Sequence, residues 1–141
     1  MVGGVTNGYS ESTMVKIFRV ILPVSDIEQA TNFYCEFLGQ SGRRVSPGRH
    51  YFDCGSVILA CFDPRSDGDG FDAKPNPDHL YFAVSDLDAV FERARRLNCQ
   101  EIEPHIAVRP WGERSFYCKD PFGNPICIVD DQTLFTGRQM P

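Results

Sequence analysis

The chain has 141 residues, a net charge of −5 and 42% hydrophobic residues, eleven Phe among them. That is enough apolar material for one sizeable core, or for two half-size modules sharing one. No basic run exceeds two residues, which argues against a nucleic-acid partner, and no apolar run approaches the ~20 residues that cross a bilayer.

Residues 1–14 are rich in Gly, Ser and Thr and lack the apolar core of a signal peptide, so they read as a disordered lead. Lys16 to Val24 has strand alternation: Phe18, Val20, Leu22 and Val24 share one parity, Ile17, Arg19, Ile21 and Pro23 the other. Ser25-Asp26-Ile27-Glu28 has the form of a capping box with Ser25 as the cap. Ile27, Ala30, Tyr34, Phe37 and Leu38 then recur at helical spacing, and Gly39 follows where a left-handed C-cap belongs. Short strands are expected near 43–46, 50–54 and 56–62, with turns at Pro47-Gly48 and Gly55.

Residues 63–78 hold three Pro, two Gly and five Asp and read as a solvated linker. Asp67-Gly68-Asp69-Gly70 lacks the spacing and the closing Glu of a calcium loop. A second strand starts at His79, with Leu80, Phe82 and Val84 on one parity and His79, Tyr81 and Ala83 on the other. Ser85-Asp86-Leu87-Asp88 caps the next helix, whose apolar stripe is Leu87, Val90, Phe91, Ala94 and Leu97. Strands near 101–108, 114–119 and 125–130 follow, the last two joined by a turn over Asp120-Pro121-Phe122-Gly123-Asn124. Residues 132–141 form a tail in which Leu134 and Phe135 are candidates for docking.

Val24-Ser25-Asp26-Ile27 returns sixty residues later as Val84-Ser85-Asp86-Leu87. The chain therefore reads as two similar modules, 15–62 and 79–131, within one domain over 15–131. Each module is strand, helix, then three strands. The expected fold class is α+β: two βαβββ modules forming a curved mixed sheet around a cleft. Side chains opposite the helix-facing parity would line that cleft, Arg19 and Ile21 from one half, His79 and Tyr81 from the other. The six cysteines, at 35, 54, 61, 99, 118 and 127, form no Cys-x-x-Cys pair. Most lie in apolar runs and read as reduced core residues of a cytoplasmic protein.

Val-Ser-Asp leading into Phe33-Tyr34-x-x-x-Leu38-Gly39, with Pro110-Trp111-Gly112-Glu113-Arg114 and Asp120-Pro121-x-Gly123-Asn124 near the end, resembles the vicinal oxygen chelate superfamily. That group includes glyoxalases, extradiol dioxygenases, and fosfomycin and bleomycin resistance proteins. The resemblance spans about residues 16–131 and is closest to the glyoxalase/bleomycin-resistance branch. It implies metal-ligand positions at Arg19, near Leu59 or Ala60, at His79 and at Cys127. A Lewis-acid metal needs about three protein ligands. Only His79 and Cys127 qualify here, with His105 or Glu113 as conceivable additions, while Arg19 repels a cation.

The residues leave alternatives open. Arg19 suits an anchor for a ligand carboxylate or phosphate, or one half of an internal ion pair with Glu113. His79 suits an old ligand position, a hydrogen-bond partner for a substrate, or a core histidine; Cys127 suits the core. Tyr81, Phe52, Phe116 and Trp111 suit aromatic cleft walls, with core packing as the other reading of the two Phe. Trp111 belongs on a loop lip, and Glu113 and Arg114 are polar lip residues or plain surface.

The reading that follows is a small-molecule binding or sequestering protein without a metal cofactor. Its ligand would be anionic or aromatic, held by Arg19, Ile21, Phe52, His79, Tyr81, Trp111, Glu113 and Arg114. The alternative is a lyase, isomerase or dioxygenase of the glyoxalase type using one divalent metal ion. The resemblance also implies a homodimer.

Overall fold

The structure is a computed structural model that describes residues 14–138. The expected lead falls almost wholly outside the described residues, as does the end of the tail. The elements in chain order are β1 (Arg19–Pro23), α1 (Ile27–Leu38), β2 (Arg43–Ser46), β3 (Arg49–Cys54), β4 (Val57–Phe62), β5 (Leu80–Val84), α2 (Leu87–Arg96), β6 (Glu101–Ile102), β7 (Ala107–Val108), β8 (Arg114–Lys119) and β9 (Pro125–Asp130). The architecture is α+β, with two modules that each carry one mixed sheet.

Sheet A runs β1-β4-β3-β2 and sheet B runs β5-β9-β8-β6, with β7 also paired to β8. The first strand of each module lies parallel to the last, Arg19 opposite Ile58 and Leu80 opposite Ile126. The remaining neighbours are antiparallel.

Both helices start one residue later than the capping-box reading places them. The cap of α1 is Asp26, whose carboxylate accepts the Gln29 amide at 3.0 Å. The cap of α2 is Asp86, which accepts the Ala89 amide at 3.1 Å. A carboxylate in the first turn also favours the positive end of the helix dipole, which a serine hydroxyl does not. Gly39 takes the left-handed φ of 70° that ends α1. The α1 stripe gains Phe33, which is 2% exposed.

The strand expected over 101–108 splits into β6 and β7. Pro104 has no amide to give, and the register against β8 slips across it, from Ile102 opposite Cys118 to Ala107 opposite Ser115.

The linker is tied down at two points. Asp63 is buried and its carboxylate accepts the Ile27 amide at 3.1 Å, capping α1 from the far end of β4. Asp67 accepts from the Ser46 hydroxyl at 2.8 Å, from the Gly48 amide and from Arg49. Those bonds hold its carboxyl below the usual range, the Ser46 bond contributing most.

One apolar core takes residues from both modules: Leu22, Phe33, Phe37, Phe52 and Leu59 from the first, Leu87, Phe91, Phe116, Ile126 and Ile128 from the second. Phe37 meets Phe82 edge-on at 6.2 Å. Three polar bonds also cross the junction. The Tyr34 hydroxyl donates to Asp120 at 2.6 Å, Arg93 donates to the Phe37 carbonyl at 3.0 Å, and the Asn124 amide donates to the Pro23 carbonyl at 2.7 Å. Among the described residues no helix is long and apolar enough to cross a membrane.

Candidate functional site

Strand alternation puts Ser115 and Tyr117 of β8, Cys127 and Val129 of β9, and Tyr81 of β5 on the face of sheet B away from α2. Tyr117 is the centre of that face. The His79 ring lies 4.9 Å from it and the Arg109 guanidinium sits 4.4 Å over it. Arg109 pairs with Glu103 through both terminal nitrogens, and its Nε donates to the Ser115 hydroxyl at 2.9 Å. Glu103 also accepts the Tyr117 amide at 2.8 Å. Burial raises the Glu103 carboxyl, but Arg109 and the Tyr117 amide outweigh it and hold the group below its ordinary range.

Cys127 is 1% exposed, yet it packs under this polar face and not in the helix-side core. Burial pushes its thiol up to about 11, although the Ser115 hydroxyl and Arg109 pull the other way.

Beside this patch, β7 and β8 are joined by a tight hairpin. The Arg109 amide donates to the Glu113 carbonyl at 2.7 Å, and the Gly112 amide donates to the Arg109 carbonyl at 2.9 Å. Gly112 adopts φ 96°, a conformation that favours glycine. The turn carries Trp111 outward, 41% exposed. The Glu113 carboxylate latches the arrangement: one oxygen accepts the Trp111 indole N–H at 2.9 Å, the other the Phe135 amide at 3.0 Å. The tail is thereby docked at the lip. Tyr81, Phe82, Ala83, Trp111, Glu113, Val129, Leu134 and Phe135 line a cavity of about 410 Å³.

Tyr81, Trp111 and Glu113 of the expected set thus come together, with His79 next to them against Tyr117. The others do not join them. Arg19 is exposed, and its recorded contacts, the Phe18 and Tyr51 rings at 4.8 and 5.6 Å, lie in module one. Glu113 is engaged by Trp111 and Phe135, so it is not the partner of Arg19. Ile21 is 40% exposed on sheet A. Phe52 is fully buried on the helix side, next to Tyr34 and His50, and has no access to a ligand. Arg114 is spent on structure. It grips Asp88 with contacts of 2.8 and 3.0 Å and Asp130 at 3.5 Å, clamping β8 to the first turn of α2.

Sequence reasoning missed Glu103, Arg109, Ser115 and Tyr117. The β8 alternation could have found the last two, since they share parity with the His79 face. Arg109 and Glu103 flank a split strand and carry no periodic signal.

The residues do not fit the divalent ion that the resemblance implies. Leu59 and Ala60 are buried apolar groups without donors, Arg19 is a cation, and Cys127 is a buried thiol whose pKa burial pushes up to about 11, which disfavours the thiolate a metal needs. Among the described residues no three His, Cys, Asp or Glu side chains are placed to hold a metal ion.

A family model described as the Glyoxalase/Bleomycin resistance protein/Dioxygenase superfamily matches residues 16–128. No curated protein sequence matches the chain. Many solved structures share its fold. A glyoxalase/bleomycin resistance protein from Albidiferax ferrireducens T118 is 22% identical, with 79% of this chain and 95% of that one covered and a TM-score of 0.68. A lactoylglutathione lyase from Agrobacterium tumefaciens is 24% identical, with 84% and 95% covered and a TM-score of 0.65. A glyoxalase/bleomycin resistance protein/dioxygenase from Nocardioides is 24% identical over 98% of this chain and 99% of that one, with a TM-score of 0.65.

Proposed function

The chain belongs to the glyoxalase/bleomycin resistance protein/dioxygenase superfamily, and from that premise we propose that it binds a planar, aromatic small molecule without a metal cofactor. The observation that carries this reading is the cavity along β5, where Tyr81 and Trp111 present aromatic surface above the apolar floor of Ala83 and Val129. Glu113 fixes the indole through its N–H, so the aromatic wall is ordered before a ligand arrives. Stacking on two such rings contributes about 0.5–1.5 kcal/mol each beyond simple burial.

The proposed active form is a homodimer. Among the described residues β1 bonds only to β4 and β5 only to β9, which leaves one edge of each without a strand partner there. Beside those edges Ile17, Phe18, Ile21 and Tyr81 are 70, 62, 40 and 62% exposed. Pairing β1 of one copy with β5 of another would cover these side chains. It would also bring Arg19 to the His79–Tyr81 face, where it could meet a ligand carboxylate bidentately.

The test uses the fluorescence of Trp111, the only tryptophan in the chain. Titration with aromatic carboxylates should quench it saturably at one ligand per chain. Tyr81→Ala should weaken that binding by about tenfold, or 1.4 kcal/mol. The reading fails if aromatic compounds leave the emission unchanged to millimolar concentration. It also fails if the purified protein carries a stoichiometric divalent ion that chelators remove and His79→Ala loses.

A further inference from the structure

The cavity beside β5 has one wall that belongs to neither a strand nor a hairpin. Ala83 and Val129 sit opposite each other in paired strands, and Trp111 and Glu113 lie on the β7–β8 hairpin. Leu134 and Phe135 come from the chain that follows β9.

A run of hydrogen bonds sets the course of that chain. The Asp131 amide donates to the Val84 carbonyl at the end of β5, at 2.9 Å. The Asp130 carboxylate accepts the Gln132 amide at 2.9 Å, and the Asp130 carbonyl accepts the Thr133 amide at 3.0 Å and the Thr133 hydroxyl at 2.9 Å. The Thr133 hydroxyl oxygen in turn accepts the Arg114 amide at 3.0 Å, which bolts Thr133 to the start of β8. Two residues on, the Phe135 amide donates to Glu113 at 3.0 Å. Leu134 is thus held between two fixed points, one on β8 and one on the lip. Its side chain and that of Phe135 remain 41 and 37% exposed, and both line the cavity together with Tyr81 and Trp111. A single exposed apolar side chain is ordinary, but four around one hollow make a patch that a ligand would cover. At about 410 Å³ the cavity is near the lower end of the ~300–1,000 Å³ common for small-molecule sites, which suits one or two fused rings.

We infer that Leu134 and Phe135 form the selectivity wall of the aromatic site proposed above, a conclusion that rests on that site: they admit a ligand of one or two fused rings and turn away one of three. The wall can be removed without its anchors. Leu134→Ala with Phe135→Ala keeps the Phe135 amide, so the bond to Glu113 stays, and with it the setting of the Trp111 indole. Both side chains lie at the surface, so the double variant should keep the melting temperature of the unaltered chain.

The experiment is equilibrium dialysis of the full chain against benzoate, 2-naphthoate and anthracene-2-carboxylate, each read by its own absorbance. The unaltered chain should take up the first two and hold the third at least about tenfold more weakly. Apolar burial alone favours the largest ring system, so that order requires a steric stop. In the double variant the three-ring acid should bind at least as well as the two-ring acid. Leu134→Trp should move the stop the other way, weakening the two-ring acid by about tenfold while benzoate is kept. This arm reads the wall even if the double variant folds poorly. A three-ring acid bound by the unaltered chain as tightly as the two-ring acid, or one ring-size order shared by the unaltered chain and both variants, would overturn the proposal and leave the site standing. If the unaltered chain binds none of the three, the site itself fails and the wall falls with it.

Discussion

Asp120 is fully buried and its two carboxylate oxygens accept four bonds, from the Tyr34 hydroxyl, the Phe122 and Asn124 amides and the Asn124 side chain. It fixes the β8–β9 turn and, through Tyr34, the α1 side of the junction. Burial, and then the charge of Asp120, push the Tyr34 hydroxyl well above its ordinary pKa, so it stays a donor. Asp120→Ala strands those donors and should lower stability by about 3 kcal/mol. Urea unfolding should show an earlier midpoint at unchanged slope. Glu103 makes a pH-dependent contribution. Its folded carboxyl lies below the value of an unfolded chain, because the Arg109 and Tyr117 bonds overcome burial. Its stabilisation is therefore complete above the unfolded value and is lost as pH falls through the folded one. The gap in melting temperature between the unaltered chain and Glu103→Gln should be largest near neutrality and close as pH falls through the lowered folded value of the Glu103 carboxyl.

At the scale of elements, Gly48 shows how closely the linker docks. A Cβ there would meet the Asp63 carbonyl at 2.3 Å and the Asp67 amide nitrogen at 2.8 Å, both backbone atoms that cannot swing away. Gly48→Ala should cost about 1–3 kcal/mol by overpacking, read from chemical denaturation. The strand and helix pattern was legible because both sheets have one buried face and both helices one buried stripe, so Leu22, Val24, Leu87 and Phe91 announce themselves by spacing. The helix starts slipped by one residue because Ser25-Asp26 and Ser85-Asp86 each offer two good acceptors in a row. The linker's anchors were hidden because a run of Asp looks solvated until its amide partners are known. The site was half legible. Tyr81, Trp111 and Glu113 sit where strand parity and a Pro-Trp-Gly lip put them. Phe52 has the period of a strand, which does not say which face meets the helix. The Arg109–Glu103 pair depends on a register slip at Pro104 that no local pattern encodes.

At the scale of the whole molecule, the proposed dimer predicts a concentration-dependent mass. Light scattering should give twice the chain mass of 15.9 kDa at micromolar concentration. Ile17→Glu with Phe18→Glu should shift it to one chain mass, since two buried charges at a strand edge cost several kcal/mol. Both side chains are exposed in the single chain, so the folded monomer should keep its melting behaviour. A monomer in the unaltered chain at high concentration would remove the dimer and, with it, the role of Arg19 at the His79 face.

Asn124 accepts the Asn76 amide at 2.8 Å while it donates to the Pro23 carbonyl, so one buried side chain joins the first strand, the inter-module segment and the last turn. Its meaning lies in biosynthesis. A ribosome adds about 5–20 residues per second, and the nascent first module must wait until Asn124 has been added before this stitch can be tied. Until then the Pro23 carbonyl and the Tyr34 hydroxyl lack the partners that residues 120–124 will bring. The emerging half-protein shows chaperones a polar seam that the finished one has closed.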